Sequence, residues 1–235
     1  MDRITRHELK SDQFVEQVGQ IVENVEAHRS QVIRYGVAAV AILLIGAGVY
    51  WYIYSQKEAR EAALGKVMRT WTAPVGGAAA EFSFTTAESK EQAVNKVLTD
   101  FVMKYGGSKE GAIGDYLLGI RAADNGKFDD AERYFKLAVD NASKEYASLA
   151  KLSLAEVYSS RGKTTDAEKL LKDLMDHPTV MVSKDQAMIA LARLYEQTNK
   201  PDEARKLVTP LLKSPDTSAG RIATAIVTGA NPASK

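Results

Sequence analysis

The chain has 235 residues, of which 45% are hydrophobic and 26% are charged, and its formal net charge at pH 7 is +1. A balance this even provides no concentrated positive face, which argues against nucleic acid as a partner. The lack of cysteine excludes a disulfide framework and a cysteine-ligated zinc site. The order of apolar and polar segments is therefore the main source of information.

Residues 1–34 form a polar N-terminal cap that carries one apolar stripe. The stripe follows helical spacing and predicts a helix from about Asp12 to His28. Such a helix either lies on a membrane surface or docks on a partner, and two heptads are too few to predict a coiled coil. The residues of this docking stripe are Phe14, Val18, Ile21 and Val25.

Residues 35–56 contain no charged side chain. At about 1.5 Å per residue they span roughly 30 Å, the thickness of a bilayer core. A cleaved signal peptide fits less well, because 34 residues precede the segment and aromatic residues follow it. A buried core helix of this length would need a larger domain around it. We therefore predict one transmembrane helix, ending in the interfacial aromatics Tyr50, Trp51, Tyr52 and Tyr54.

The charges that flank this segment leave its orientation open. The positive-inside rule compares Arg29 and Arg34 on one side with Lys57, Arg60, Lys66 and Arg69 on the other. The count places the larger domain inside the cell, but charges that belong to a long folded domain have little influence on topology.

Residues 57–111 resemble a degenerate pair of helices, predicted at 57–71 and 88–105. The first is expected to continue from the membrane helix or to begin just beyond it. The connection 72–87 is long for a helix–helix loop, so it is either mobile or held by a specific contact. Two aromatic residues in it are candidates to pin it to the domain, Phe82 and Phe84.

Residues 112–216 contain three segments with the same frame. Ala131, Ala167 and Ala204 lie 36 and 37 residues apart, and a small residue lies twelve positions before each of them. Two antiparallel helices approach closely where small residues meet, which predicts crossings of Gly119 with Ala131, Ala155 with Ala167, and Ala192 with Ala204. The turns between the helices carry residues that accept a left-handed conformation, followed once by a helix-starting proline. These turn residues are Gly126, Gly162, Asn199 and Pro201.

This pattern resembles the tetratricopeptide repeat, with departures at two positions. The aromatic residue at the fourth position is replaced by Asp115, Lys151 and Met188. The eleventh position departs only in the first repeat, which has Ala122 where the others have Tyr158 and Tyr195. Residues 217–235 are expected to form a capping helix and a tail. The fold class predicted is all-α: a single N-terminal transmembrane helix followed by a tetratricopeptide-repeat-like α-solenoid.

Known catalytic motifs are missing. The three histidines are scattered, and the sequence contains no H-E-x-x-H, P-loop, G-x-S-x-G or dinucleotide fingerprint. We therefore expect no enzymatic activity, no cofactor and no metal site, and hold an unrecognised hydrolase or metalloenzyme as a remote alternative. The best site hypothesis is the concave face of the repeats, suited to an extended or unfolded segment, although its apolar members also suit packing between repeats. Its residues are Tyr116, Ile120, Leu152, Glu156, Ile189 and Arg193.

The whole layout, from the lead His7–Glu16 through one anchor to degenerate repeats, is similar to the bacterial YfgM-type ancillary subunits of the SecYEG translocon. The resemblance implies an inner-membrane protein with a cytoplasmic N-terminus and periplasmic repeats. It implies as partners translocon subunits, exported or unfolded polypeptides and periplasmic chaperones. The alternative is a structural scaffold for envelope assembly or cell division.

Overall fold

The computed structural model describes residues 29–76 and 83–229. The predicted helix 12–28 with its stripe Phe14, Val18, Ile21 and Val25, the aromatic Phe82 and the tail 230–235 lie outside these residues. The described residues form α-helices with no β-strand, which confirms the all-α class. The helices are α1 (Arg29–Thr72), α2 (Ala87–Tyr105), α3 (Lys109–Asp124), α4 (Phe128–Asn141), α5 (Lys144–Ser160), α6 (Thr164–Asp176), α7 (Lys184–Gln197), α8 (Pro201–Val208) and α9 (Ser218–Thr228), with a 3-10 helix (Thr209–Lys213) after α8.

The chain divides into two compact units between Glu58 and Ala59. In the first unit, every residue from 33 to 54 is exposed, including the apolar ones. Among the described residues, the helix over Ile33–Thr72 is the one that is long and apolar enough to cross a membrane. Its exposure excludes the alternative of a buried core helix.

The second unit begins at Ala59, within the bounds of α1. Val67 of α1 is 2% exposed and packs in one core cluster with Val94, Leu98 and Phe101 of α2 and Leu117 of α3. Apolar side chains three and four residues apart thus join the first three helices of this unit.

The connection between α1 and α2 is closed at its base by backbone hydrogen bonds. The N–H of Phe84 donates to the carbonyl of Pro74 at 3.0 Å, and the N–H of Gly76 donates to the carbonyl of Phe84 at 2.9 Å. Val75 and Phe84 form an isolated bridge. Of the two aromatics expected to pin this loop, Phe84 therefore ties its ends together through the main chain.

Three helix pairs follow, α3 with α4, α5 with α6, and α7 with α8, and each pair is joined by a left-handed residue. The φ angles of Gly126, Gly162 and Asn199 are +70°, +72° and +58°. Pro201 occupies the first turn of α8, where its missing N–H costs nothing. The turn chemistry predicted from the repeat spacing is confirmed at all of these positions.

The small residues of the repeats are buried, and the ring of Phe135 lies against Gly119 at the first predicted crossing. Ala131, Ala167 and Ala204 are fully buried. A Cβ built on Gly119 would lie 2.6 Å from two ring atoms of Phe135, which are its nearest neighbours. Gly119 therefore leaves room for the ring of Phe135 on α4, which a side chain at this position would crowd.

The last repeat shares a core cluster with the final helix. Ala204 and Val208 of α8 pack with Ala223 and Ile226 of α9. The N-cap of α9 is Thr217, whose hydroxyl accepts a hydrogen bond from the N–H of Gly220 at 3.0 Å. Apolar side chains of the third repeat are thus covered from the C-terminal side, as a helical array requires.

Candidate protein-binding face

The first helices of the three pairs line two adjoining clefts, here called the first and second inner clefts. The first lies between α3 and α5 and has a volume of about 260 Å³. The second lies between α5 and α7 and has a volume of about 240 Å³. Glu156 and Ser160 of α5 line both clefts, which makes them neighbours on one face of the second unit.

The walls of both clefts mix apolar and polar residues. The first inner cleft is lined by the apolar Ile120, Ala123, Phe128, Phe135 and Val157 and by the polar Asp124, Ser153, Glu156 and Ser160. The second is lined by the apolar Ala155, Leu171, Ala190 and Leu194 and by the polar Glu156, Ser159, Ser160, Arg193 and Gln197. In the second cleft, the Ser159 hydroxyl donates to Oε1 of Gln197 at 2.5 Å. That hydrogen bond links α5 to α7 at the cleft wall.

Three of the six residues predicted for this face line the clefts. Ile120 and Glu156 line the first, and Glu156 and Arg193 line the second. Glu156 and Arg193 are exposed, and Ile120 is half-buried. The structure thus brings these three side chains onto one continuous surface.

The other three predicted residues lie deeper. Tyr116 and Leu152 are half-buried and pack against the core of the repeats, with the Tyr116 ring centroid 5.9 Å from that of Phe135. Ile189 is 7% exposed and shares a core cluster with Ile226 of α9. A partner on this face would contact little of Ile189, because the end of the array needs that side chain for its own packing.

Two carboxylates give the first inner cleft its charge. Within the described residues, the Glu156 side chain forms no hydrogen bond or salt bridge, and neither does that of Asp124. Neighbouring protein atoms partly desolvate the Glu156 carboxyl and raise its pKa even though the residue as a whole is exposed, and the charge of Arg193 opposes that rise. The first cleft therefore offers negative charge that no neighbouring cation neutralises at contact distance.

The chemistry available on this face suits recognition. Among residues 29–76 and 83–229, no group of three or more His, Cys, Asp or Glu side chains is placed to hold a metal ion. Hydroxyls, one amide, two carboxylates and one guanidinium line the clefts between apolar surfaces. These linings bring apolar, charged and hydrogen-bonding groups together on one face.

Neighbouring repeats are joined by a polar contact that sequence reasoning missed, here called the inter-repeat clasp. The hydroxyl of Tyr158 on α5 donates to Oε1 of Glu132 on α4 at 3.4 Å. Nζ of Lys163 donates to Oε2 of the same carboxylate at 2.8 Å and lies 5.2 Å from the Tyr158 ring centroid. Lys136 and Arg161 complete the set, each with a nitrogen 2.8 Å from Glu132.

The same clasp recurs one repeat later. The hydroxyl of Tyr195 on α7 donates to Oε1 of Glu168 on α6 at 2.9 Å, and Lys172 lies 2.7 Å from that atom. Nζ of Lys200 lies 5.7 Å from the Tyr195 ring centroid. Comparing the repeats position by position reveals the signal, because Glu132 and Glu168 each follow the small alanine of the second helix.

Hydrogen bonds and positive charges lower the pKa of the carboxyl in the first clasp. Hydrogen bonds from Lys136 and Lys163 lower the pKa of Glu132 to about 2, and burial opposes them only weakly. The third repeat has Arg205 at the equivalent position and the first repeat has Ala122 where the clasp tyrosine would lie. The clasp is therefore confined to the two internal junctions of the array.

A second unanticipated feature is the carboxyl of Asp115 on α3. The residue is 2% exposed, and its Oδ1 has no hydrogen-bond partner. Burial raises its pKa to about 6, and the charge of Arg133 only partly opposes the shift. The sequence showed that this position departs from the aromatic residue of the repeat pattern, but not that a carboxyl would be buried there.

Comparison with protein families gives one match that covers most of the chain. A model described as a tetratricopeptide repeat-like domain matches residues 28–177 and, in an overlapping match, residues 136–217. Comparison with curated proteins finds no match, and comparison with solved structures finds none.

Proposed function

Because the chain belongs to the tetratricopeptide repeat-like domain family, we propose that it is a membrane-anchored protein-interaction module that binds polypeptide segments on its inner clefts. Arrays of stacked helix pairs work through extended surfaces of this kind. The observation that carries the proposal is the pair of adjoining clefts, which Ile120, Glu156 and Arg193 line.

The anchor is proposed from the first unit. Residues 33–54 are exposed and uncharged apart from Arg34 at one end, and each charge placed at the centre of such a helix would cost about 2.5–3.5 kcal/mol in a bilayer. The exposed rings of Tyr50, Trp51, Tyr52 and Tyr54 suit the headgroup level at the other end. Water alone gives this surface no compensating contact, whereas a bilayer does.

The partners are proposed from the resemblance of the whole layout to ancillary subunits of the SecYEG translocon. In this arrangement the protein sits in the bacterial inner membrane with its N-terminus in the cytoplasm. Its repeats bind exported chains or chaperones in the periplasm, and the stripe Phe14, Val18, Ile21 and Val25 docks on translocon subunits. A scaffold for envelope assembly or cell division is the competing role.

Site-specific photo-crosslinking in intact cells tests the proposal. A probe at Ile120 is expected to capture exported polypeptides, and a probe at Val18 to capture translocon subunits. The matched control is a probe at Leu137 of α4, which is 39% exposed and lines neither cleft. Capture of cytosolic proteins by the probe at Ile120 would show that the repeats face the cytoplasm, which is the opposite of the proposed orientation. Capture of folded division or assembly proteins alone would favour the scaffold.

A further inference from the structure

We propose that the first inner cleft binds an extended peptide segment by one lysine or arginine side chain that has apolar neighbours. This inference rests on the proposed function, because it names the chemistry of the segment that the inner clefts take. The half-buried Ile120 and Phe128 supply the accessible apolar wall, and the exposed Asp124 and Glu156 supply the charge.

The size of the cleft suits a side chain better than a whole small molecule. Its volume of about 260 Å³ lies below the roughly 300–1,000 Å³ of typical small-molecule pockets. The cleft also opens into the second one, since Glu156 and Ser160 line both. An extended chain that crosses the shared wall can therefore place one side chain in each cleft.

The charges select the side chain. The two charged residues that line the first cleft are both carboxylates, and neither has an ion pair or hydrogen bond within the described residues. An incoming cation would therefore meet opposite charge on both carboxylates, whereas an incoming anion would be repelled by them. Charge complementarity at a cleft of this kind sets specificity by excluding the wrong partner.

The geometry also matches the two-part nature of basic side chains. Lysine and arginine bury an apolar stem while their charged end remains near water. Phe128 is half-buried at the cleft wall, whereas Asp124 is the exposed last residue of α3. The stem would therefore contact Phe128 and Ile120, and the cation would reach the exposed carboxylates.

Arg193 limits the register of the bound segment. It lines the second inner cleft beside Glu156, so a second basic side chain placed there would meet a like charge. A segment with one basic residue followed by an apolar or acidic one is therefore favoured over a polybasic segment. This separates the expected ligand from the general attraction of any cation to an acidic surface.

The test uses the full chain in detergent micelles and three fluorescent peptides with identical apolar flanks. The central residue is lysine, norleucine or glutamate, so that the first two share a stem and differ in charge. Fluorescence anisotropy is expected to show binding in the order lysine, norleucine, glutamate. The lysine peptide should bind about 3- to 10-fold tighter than norleucine, an advantage that falls with salt.

Variants locate the effect. Glu156→Gln keeps the shape of the side chain and is expected to remove most of the lysine advantage, and the double variant Asp124→Asn/Glu156→Gln all of it. The matched control is Glu203→Gln, an exposed glutamate on α8 that lines neither inner cleft. Circular dichroism shows whether each variant is folded.

The outcomes separate this inference from the proposed function. Equal binding of the lysine and norleucine peptides, with no effect of Glu156→Gln, overturns the cation site but leaves a binding face. A lysine advantage that Glu203→Gln reduces as much as Glu156→Gln also overturns it. Failure of all three peptides to bind, together with no capture of chains from a probe at Ile120, overturns the binding face itself.

Discussion

Replacing the buried carboxyl of Asp115 by an amide should stabilise the protein at neutral pH. The folded state holds the pKa of Asp115 at about 6, above its ordinary value of 3.8. The folded state therefore binds the proton more tightly than the unfolded state, and the ionised carboxylate costs stability above pH 6. That cost declines as the pH falls from about 6 towards 3.8.

The size of the effect follows from the shift. Raising the pKa from 3.8 to about 6 gives a cost of up to about 3 kcal/mol at pH 7.5, which falls to about 1 kcal/mol at pH 4.5. Because Asp115 is 2% exposed and its Oδ1 has no partner, solvent screens little of this cost. Asp115→Asn keeps the shape and removes the ionisation.

Urea unfolding of the full chain in micelles, followed by far-ultraviolet circular dichroism at pH 4.5 and 7.5, measures the difference. The variant should exceed the original protein by about 1 to 3 kcal/mol at pH 7.5 and by clearly less at pH 4.5. Asp140→Asn, an exposed aspartate on α4, is the control and should change stability by less than about 0.5 kcal/mol. A difference between Asp115→Asn and the original that does not vary with pH would refute the buried carboxylate.

Other substitutions test the junctions, the packing and the anchor. Glu132→Gln should destabilise the array by about 1–2 kcal/mol at pH 7 and by little at pH 2. The reason is that the lowered pKa of Glu132 stabilises the folded state, and this stability is lost as the pH falls from 4.5 to about 2. Urea unfolding at both pH values measures the difference. Gly119→Ala should lower the free energy of unfolding by about 1–3 kcal/mol, because the added methyl group crowds Phe135. Gly65→Ala, which has open space around it, should not destabilise the protein. Thermal unfolding distinguishes the two variants. Leu44→Arg should release the protein from membranes on alkaline extraction, given a cost of about 2.5–3.5 kcal/mol at the helix centre.

The fold could be predicted from the sequence because its signals are local. Alanines 36 and 37 residues apart fix the helix pairs, and Gly126, Gly162 and Asn199 fix the turns between them. Both signals reflect contacts or backbone angles within a single repeat. The long uncharged segment can likewise be recognised from its length alone.

The candidate site could be predicted less completely from the sequence, because its geometry depends on how neighbouring repeats pack against each other. Ile120, Glu156 and Arg193 line the clefts, but burial of Ile189 near α9 depends on where the array ends. The clasp of Tyr158 with Glu132 joins residues 26 positions apart that look like ordinary surface residues in their own helices. Only a comparison of polar positions between repeats would have exposed it.

The confinement of the clasp to internal junctions bears on how an array like this changes its length. The second repeat carries both partners of the clasp, the tyrosine Tyr158 on one side and the acceptor Glu168 on the other. Two copies of this repeat could therefore form the clasp with each other and with either neighbour. The third repeat offers Arg205 in place of the acceptor and closes against α9 instead. Segmental duplication would therefore lengthen the protein from the middle, adding inner clefts while leaving the first helices of the second unit and the C-terminal cap unaltered.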